Sequence, residues 1–82
     1  NPFNPSTTIA WDLPRAGRLR VAIHDLAGRH MRTLHEAPTP GGPGRATWDG
    51  RDDGGRIVPS GTYLVRLSGS EESRTLKVML AK

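Results

Sequence analysis

Three carboxylates fall within five consecutive positions: Asp49, Asp52 and Asp53, in the run Trp48-Asp49-Gly50-Arg51-Asp52-Asp53-Gly54-Gly55. Acidic side chains in a glycine-rich loop suit calcium, which takes six to eight oxygens at once. If Asp49 is set at position 1 of the EF-hand loop, Asp53 falls at position 5 and Gly54 at the invariant glycine. Arg51 then occupies a ligand position, and Ser60 stands where a bidentate Glu is required. The loop therefore reads as turns closed by Asp side chains, with no metal.

His24, His30 and His35 lie on or beside one hairpin, and three histidines can hold a catalytic zinc. Their spacing matches no local zinc motif, so solvent-facing strand positions are expected for them. None of Ser6, Ser60, Ser68, Ser70 and Ser73 sits in a Gly-x-Ser-x-Gly elbow. The pairs Gly41-Gly42 and Gly54-Gly55 are not followed by a helix, whose N-terminus a phosphate cradle uses. Catalytic residues, cofactor, metal and small-molecule substrate are all expected to be absent.

The elements that carry these residues read as short strands. Ile9, Trp11 and Leu13 alternate with polar or small neighbours over Thr7 to Leu13, and Leu19, Val21 and Ile23 resume that period of two. Asp25-Leu26-Ala27-Gly28-Arg29 is a hairpin turn into a third strand through His30 to Leu34. Ala37 to Gly44, with three prolines and three glycines, predicts a surface crossover. A fourth strand follows over Arg45 to Asp49, with Ala46 and Trp48 facing in, and Ile57-Val58 predicts a fifth of two or three residues. Tyr63, Val65, Leu67 and then Leu76, Val78, Leu80 alternate in a final hairpin. About seven short strands with no helical period predict an all-β, immunoglobulin-like antiparallel β-sandwich, with both tryptophans in its core.

Eighty-two residues allow one small core, and with no cysteine there is no disulfide to staple it. No stretch approaches the roughly 20 apolar residues of a membrane helix. Twelve basic against eight acidic residues give a net charge of +4, scattered along the chain rather than in runs. No nucleic-acid partner is expected from such a pattern. The chain opens on Asn1-Pro2, without Met or signal peptide, as a fragment of a longer parent would. Residues 1–6 read as a linker and residues 7–82 as the sandwich, the C-terminal domain of that parent, with Phe3 its apolar anchor.

Taken together, NPFNPSTTIAWDLP, LRVAIHDLAGRHMRTL, ATWDGRDDGGRIVPSGTYLVRL and TLKVMLAK resemble the C-terminal sorting domain (type A) of type IX secretion cargo. The segment WDG-x-D-x-x-G…SG-x-Y is also similar to the immunoglobulin-like domain of flagellar hook-capping proteins. The resemblance implies a non-catalytic sorting and anchoring module that directs a secreted parent across the outer membrane. Its implied partner is the outer-membrane secretion machinery, with lipopolysaccharide attachment, and its implied place is extracellular, at the cell surface of a bacterium with an outer membrane. The alternative it implies is a structural module of a hook-cap, adhesin or filament, whose partners are copies of itself.

Residue by residue, Asn1, Pro2, Phe3, Asn4 and Pro5 match the sorting family's opening motif, and Gly28 and Arg29 its first hairpin. Trp48, Asp49, Gly50, Asp52 and Gly55 match its acidic loop, Gly61 and Tyr63 the last-but-one strand, and Lys77 the terminal strand. Each of these has a folding explanation as well, because glycine supplies positive φ, Asp closes turns and aromatics fill cores. His24 departs from the pattern, which has Tyr or Phe there.

Overall fold

Strand formation follows the period of two. Thr7–Leu13 (β1), Gly17–His24 (β2), His30–Thr39 (β3), Gly42–Trp48 (β4), Gly61–Ser68 (β5) and Ser73–Leu80 (β6) are the strands of the computed structural model, which describes residues 6–70 and 72–81. They make two antiparallel sheets, β1-β4 and β3-β2-β5-β6. No helix occurs among the described residues. The all-β immunoglobulin-like sandwich stands, with six strands among the described residues where about seven were expected: Ile57 contributes only a single bridge, to Arg51. Pro59 follows too soon for a ladder to extend, since it has no N–H to donate.

The core lies between the sheets and consists of Ile9, Leu19, Val21, Ile23, Trp48, Val58, Tyr63, Val65 and Leu80. β1, β2, β4, β5 and β6 contribute from the inward half of their alternation, β2 and β5, central in their sheet, the most, while the edge strand β3 adds only the half-buried Met31 and Leu34 against the core. Trp11 departs from expectation. It is half-buried at the margin of the core, because its ring lies on Gly44, the residue opposite it on β4.

The predicted crossover is also shorter than expected. Strands run into the proline-rich stretch from both sides, placing Pro38 in β3 and Pro43 in β4. Both are edge strands, where a missing N–H leaves no ladder bond unmade.

Two register shifts interrupt the pairing of β2 with β3, between Val21 and Ala22 and between Ile23 and His24. They leave Leu34 and Met31 without a partner across the ladder. Such bulges re-aim the strand locally. Here both residues pack against the core, while Arg32 and Thr33 serve the next loop.

Candidate functional site

Most of the motif residues gather at one end of the sandwich, where two turns of the same construction meet. In the first, Asp25 Oδ1 accepts the backbone N–H groups of Ala27 at 3.0 Å and Arg29 at 2.8 Å. The Asp25 N–H donates to the Arg29 carbonyl and the Gly28 N–H to the Asp25 carbonyl, each at 2.9 Å. Asp52 repeats this bond for bond: Oδ1 accepts from the N–H groups of Gly54 at 3.0 Å and Arg56 at 2.9 Å. The Asp52 N–H donates to the Arg56 carbonyl, and the Gly55 N–H to that of Asp52. Gly28 and Gly55 occupy the same place in the two turns, with φ of 86° and 85°, a region that side chains with a Cβ avoid.

Sequence reading missed this duplication, although Asp-x-x-Gly-Arg stands in plain view at Asp25 to Arg29 and at Asp52 to Arg56. The signal was a five-residue spacing, too short to register as a repeat.

Asp53 joins the second turn to β3. Its N–H donates to the Met31 carbonyl at 2.9 Å, and its Oδ1 accepts the Thr33 N–H at 3.0 Å. Its Oδ2 lies 2.8 Å from His30 Nε2. One residue thereby occupies backbone groups on the open edge of β3, which a foreign strand would otherwise use. The loop is closed from the other side by Arg32, which donates to Asp49 Oδ1 and to the Arg51 carbonyl, both at 3.1 Å. Trp48 Nε1 donates to the same carbonyl at 2.8 Å.

Trp48 and Tyr63 meet edge to face, with ring centroids 5.1 Å apart. The Tyr63 hydroxyl donates back to the Pro59 carbonyl at 2.6 Å, the arrangement of a tyrosine corner. Burial first, and the Asp25 charge second, push the Tyr63 phenol above its ordinary value of 10.0. The backbone N–H of Thr33 and then the His30 ring hold the Asp53 carboxyl below its ordinary 3.8. The Arg29 N–H does the same for Asp25.

These shifts have a sign that can be tested. Both carboxylates bind protons more weakly folded than unfolded, so their stabilisation is complete above the unfolded value of about 3.9 and is lost as pH falls through the lowered folded values. Thermal unfolding followed by circular dichroism should show a melting temperature that holds down to about pH 5 and drops below about pH 4. Asp53→Asn should drop less steeply; a fall as steep as that of the parent chain would show that Asp53 contributes nothing to it.

The chemistry open to this end is limited by how fully its carboxylates are used. Asp25, Asp49, Asp52 and Asp53 each accept local N–H donors. Among the described residues no group of three or more His, Cys, Asp or Glu side chains converges as a metal site. His24 and His30 do meet, ring centroids 5.5 Å apart, whereas His35 lies elsewhere, against Thr39 and Trp11. Solvent-facing positions do not describe all three, since His24 and His35 are half-buried.

Of the residues singled out by resemblance, Gly28, Arg29, Trp48, Asp49, Gly50, Asp52, Gly55, Gly61 and Tyr63 build or adjoin this end. Lys77 is elsewhere, on β6 opposite Leu64. Asn1, Pro2, Phe3, Asn4 and Pro5 lie outside the described residues. Asp25, Arg32 and Arg56, which the sequence reading did not select, share in the same network.

Comparison with known proteins gives a consistent result. The family model described as "FlgD Ig-like domain" matches residues 3–73. Basal-body rod modification protein FlgD of Salmonella typhimurium is 34% identical over 55 residues, covering 67% of this chain and 24% of the relative. The Salmonella typhi protein of the same name matches equally. The chain thus spans about a quarter of the length of these curated relatives. The crystal structure of FlgD from P. aeruginosa superposes with a TM-score of 0.73 at 24% identity, covering 92% of this chain and 58% of that one, and supports the fold.

These matches overturn the sorting-domain reading, because both the family model and the curated relatives are flagellar FlgD proteins rather than type IX secretion cargo. The outer-membrane secretion machinery and lipopolysaccharide as partners fall with it. So does the extracellular, cell-surface location, which rested on that reading alone. The misreading has a physical root. The shared WDG-x-D-x-x-G…SG-x-Y residues form the clamp just described, so they report a way of folding rather than an export route.

Proposed function

The chain belongs to the family of FlgD Ig-like domains, and from that premise we propose that it is a non-catalytic structural module of a flagellar assembly. In this reading it is one domain of a longer hook-capping protein, acting at the basal-body rod and hook through contacts with copies of itself and its neighbours. The family match over residues 3–73 carries the proposal. The commitment of its carboxylates to turn closure supports a scaffold over an enzyme.

A contact surface at the clamped end suits that role. Leu26, in the Asp25 turn, is 62% exposed, and Ile57, just after the Asp52 turn, is 58% exposed. Exposed apolar side chains are surface that a docking partner covers.

Because these 82 residues hold no cysteine, Leu26→Cys or Ile57→Cys gives a single attachment point within this domain for cross-linking in the native host, with the unsubstituted protein as the control. Adducts with copies of the same protein or with rod and hook subunits are expected. Adducts confined to outer-membrane proteins would contradict the proposal.

A further inference from the structure

The cations that look scattered along the sequence are gathered by strand pairing. Alternation turns Leu19, Val21 and Ile23 of β2 inward, so Arg18 and Arg20 point outward from the four-stranded sheet. Tyr63, Val65 and Leu67 of β5 face in, which turns Arg66 out. Val78 and Leu80 of β6 face in, which turns Lys77 out.

The register aligns these positions: Ala22 is paired with Arg66, Arg66 with Thr75, and Leu64 with Lys77. Arg20, Arg66 and Lys77 therefore descend the sheet on a diagonal, one strand across and two residues along at each step. Diagonal neighbours of this kind stand about 7–8 Å apart.

Against these four cations the described residues of the sheet's strands present one carboxylate on the outer face, Glu36, already 3.5 Å from Arg20. Among the described residues the ion pairs involve Arg20, Arg29, His30 and Arg32, and none involves Arg18, Arg66 or Lys77. Ala22 lies on this outer face yet has no exposed surface. Arg66 is its partner across the ladder, and Arg20 stands two residues away on β2.

We infer that this outer face of β2, β5 and β6 binds an acidic, extended protein segment. Alternate side chains of an extended strand repeat at about 6.8 Å, close to the spacing of the cation diagonal. Protein rather than nucleic acid is favoured because Trp48 and Tyr63 face the core and Trp11 packs against it, leaving no described Trp, Tyr or Phe here for bases to stack on, while the half-buried His24 ring opposite Leu64 is already taken by His30. Leu64 and the exposed Met79 flank Lys77 on the same face, and Met and Arg are the side chains that protein interfaces concentrate. The inference rests on the assembly role proposed above and names one surface that serves it.

The test is fluorescence anisotropy with a labelled poly-L-glutamate peptide and the full chain, with duplex DNA as competitor. Saturable binding that weakens with salt is expected, since exposed charges are screened. Arg66→Glu with Lys77→Glu should lower the affinity at least about tenfold, as for opposed charges at an interface. Arg45→Glu with Arg56→Glu, which changes net charge equally but lies off this face, should lower it by less than about threefold. Should the first double variant fail to fold, Arg66→Gln with Lys77→Gln supplies the same comparison.

Absence of saturable binding, equal losses in both double variants, or displacement by duplex DNA at lower concentration than by unlabelled peptide would each overturn the inference. Failure here with the Leu26→Cys cross-links intact would strike this surface and leave the assembly role standing.

Discussion

Trp48→Ala is expected to leave the chain only marginally folded at room temperature. Trp48 is fully buried and is the largest such side chain, seated against Tyr63 and at the centre of the cluster between the sheets. Truncating a buried Trp costs about 3–5 kcal/mol, against about 0.05–0.15 kcal/mol per residue of total stability. For a domain this small, with no disulfide, the loss takes most of what holds it. The indole also donates to the Arg51 carbonyl, so the variant loses one of the bonds that hold the loop carrying Asp52 and Asp53 as well. Trp48→Phe separates the two roles: it keeps an aromatic against Tyr63 and removes one of the two donors to the Arg51 carbonyl, Arg32 remaining, at about 0.5–1.5 kcal/mol for the lost bond. Urea unfolding should rank parent, Phe and Ala in that order. An Ala variant that unfolds with the midpoint of the parent would contradict the central place given to Trp48.

Gly44→Ala should destabilise, against what strand propensity leads one to expect. Alanine is normally better than glycine inside a strand by about 0.5–1 kcal/mol. At position 44, however, a Cβ would stand 2.4 Å from Trp11 Nε1 and 2.6 Å from Cε2. The ring must move, and overpacking of this kind costs about 1–3 kcal/mol. Trp11 Nε1 is buried without a hydrogen-bond partner, so displacement toward water recovers part of the cost and sets the effect near the lower end. A drop in melting temperature with a red shift of tryptophan emission is expected. A rise in melting temperature with unchanged emission would show that Trp11 does not lie on Gly44.

Much of the fold was legible in the sequence because half-buried strands write their period into it. Leu19-Val21-Ile23 and Tyr63-Val65 face the core as their alternation requires. Leu76 shows where that signal ends. It falls on the inward half of β6 but is 43% exposed, since β6 is an edge strand and the two-stranded sheet opposite is narrower than its partner. Sheet width depends on pairing between distant segments, which alternation cannot report.

The same limit hid the candidate sites. Asp52 and Gly55 were recognisable as turn residues from composition, but Asp53 gripping Thr33 and Arg32 gripping Asp49 join residues that are 20 and 17 positions apart. Arg20, Arg66 and Lys77 become neighbours only through the ladders of β2, β5 and β6. The flagellar and secretion readings could not be separated from the motif, because Trp48, Asp52, Gly55 and Tyr63 are accounted for by folding alone.

The most direct test of the flagellar assignment is to delete residues 6–81 in frame from the encoding gene in its own host and image the cells by electron microscopy. Basal bodies with rods but without completed hooks are the predicted result, reversed by the intact gene. Normal hooks and filaments on the deletion strain would contradict the account.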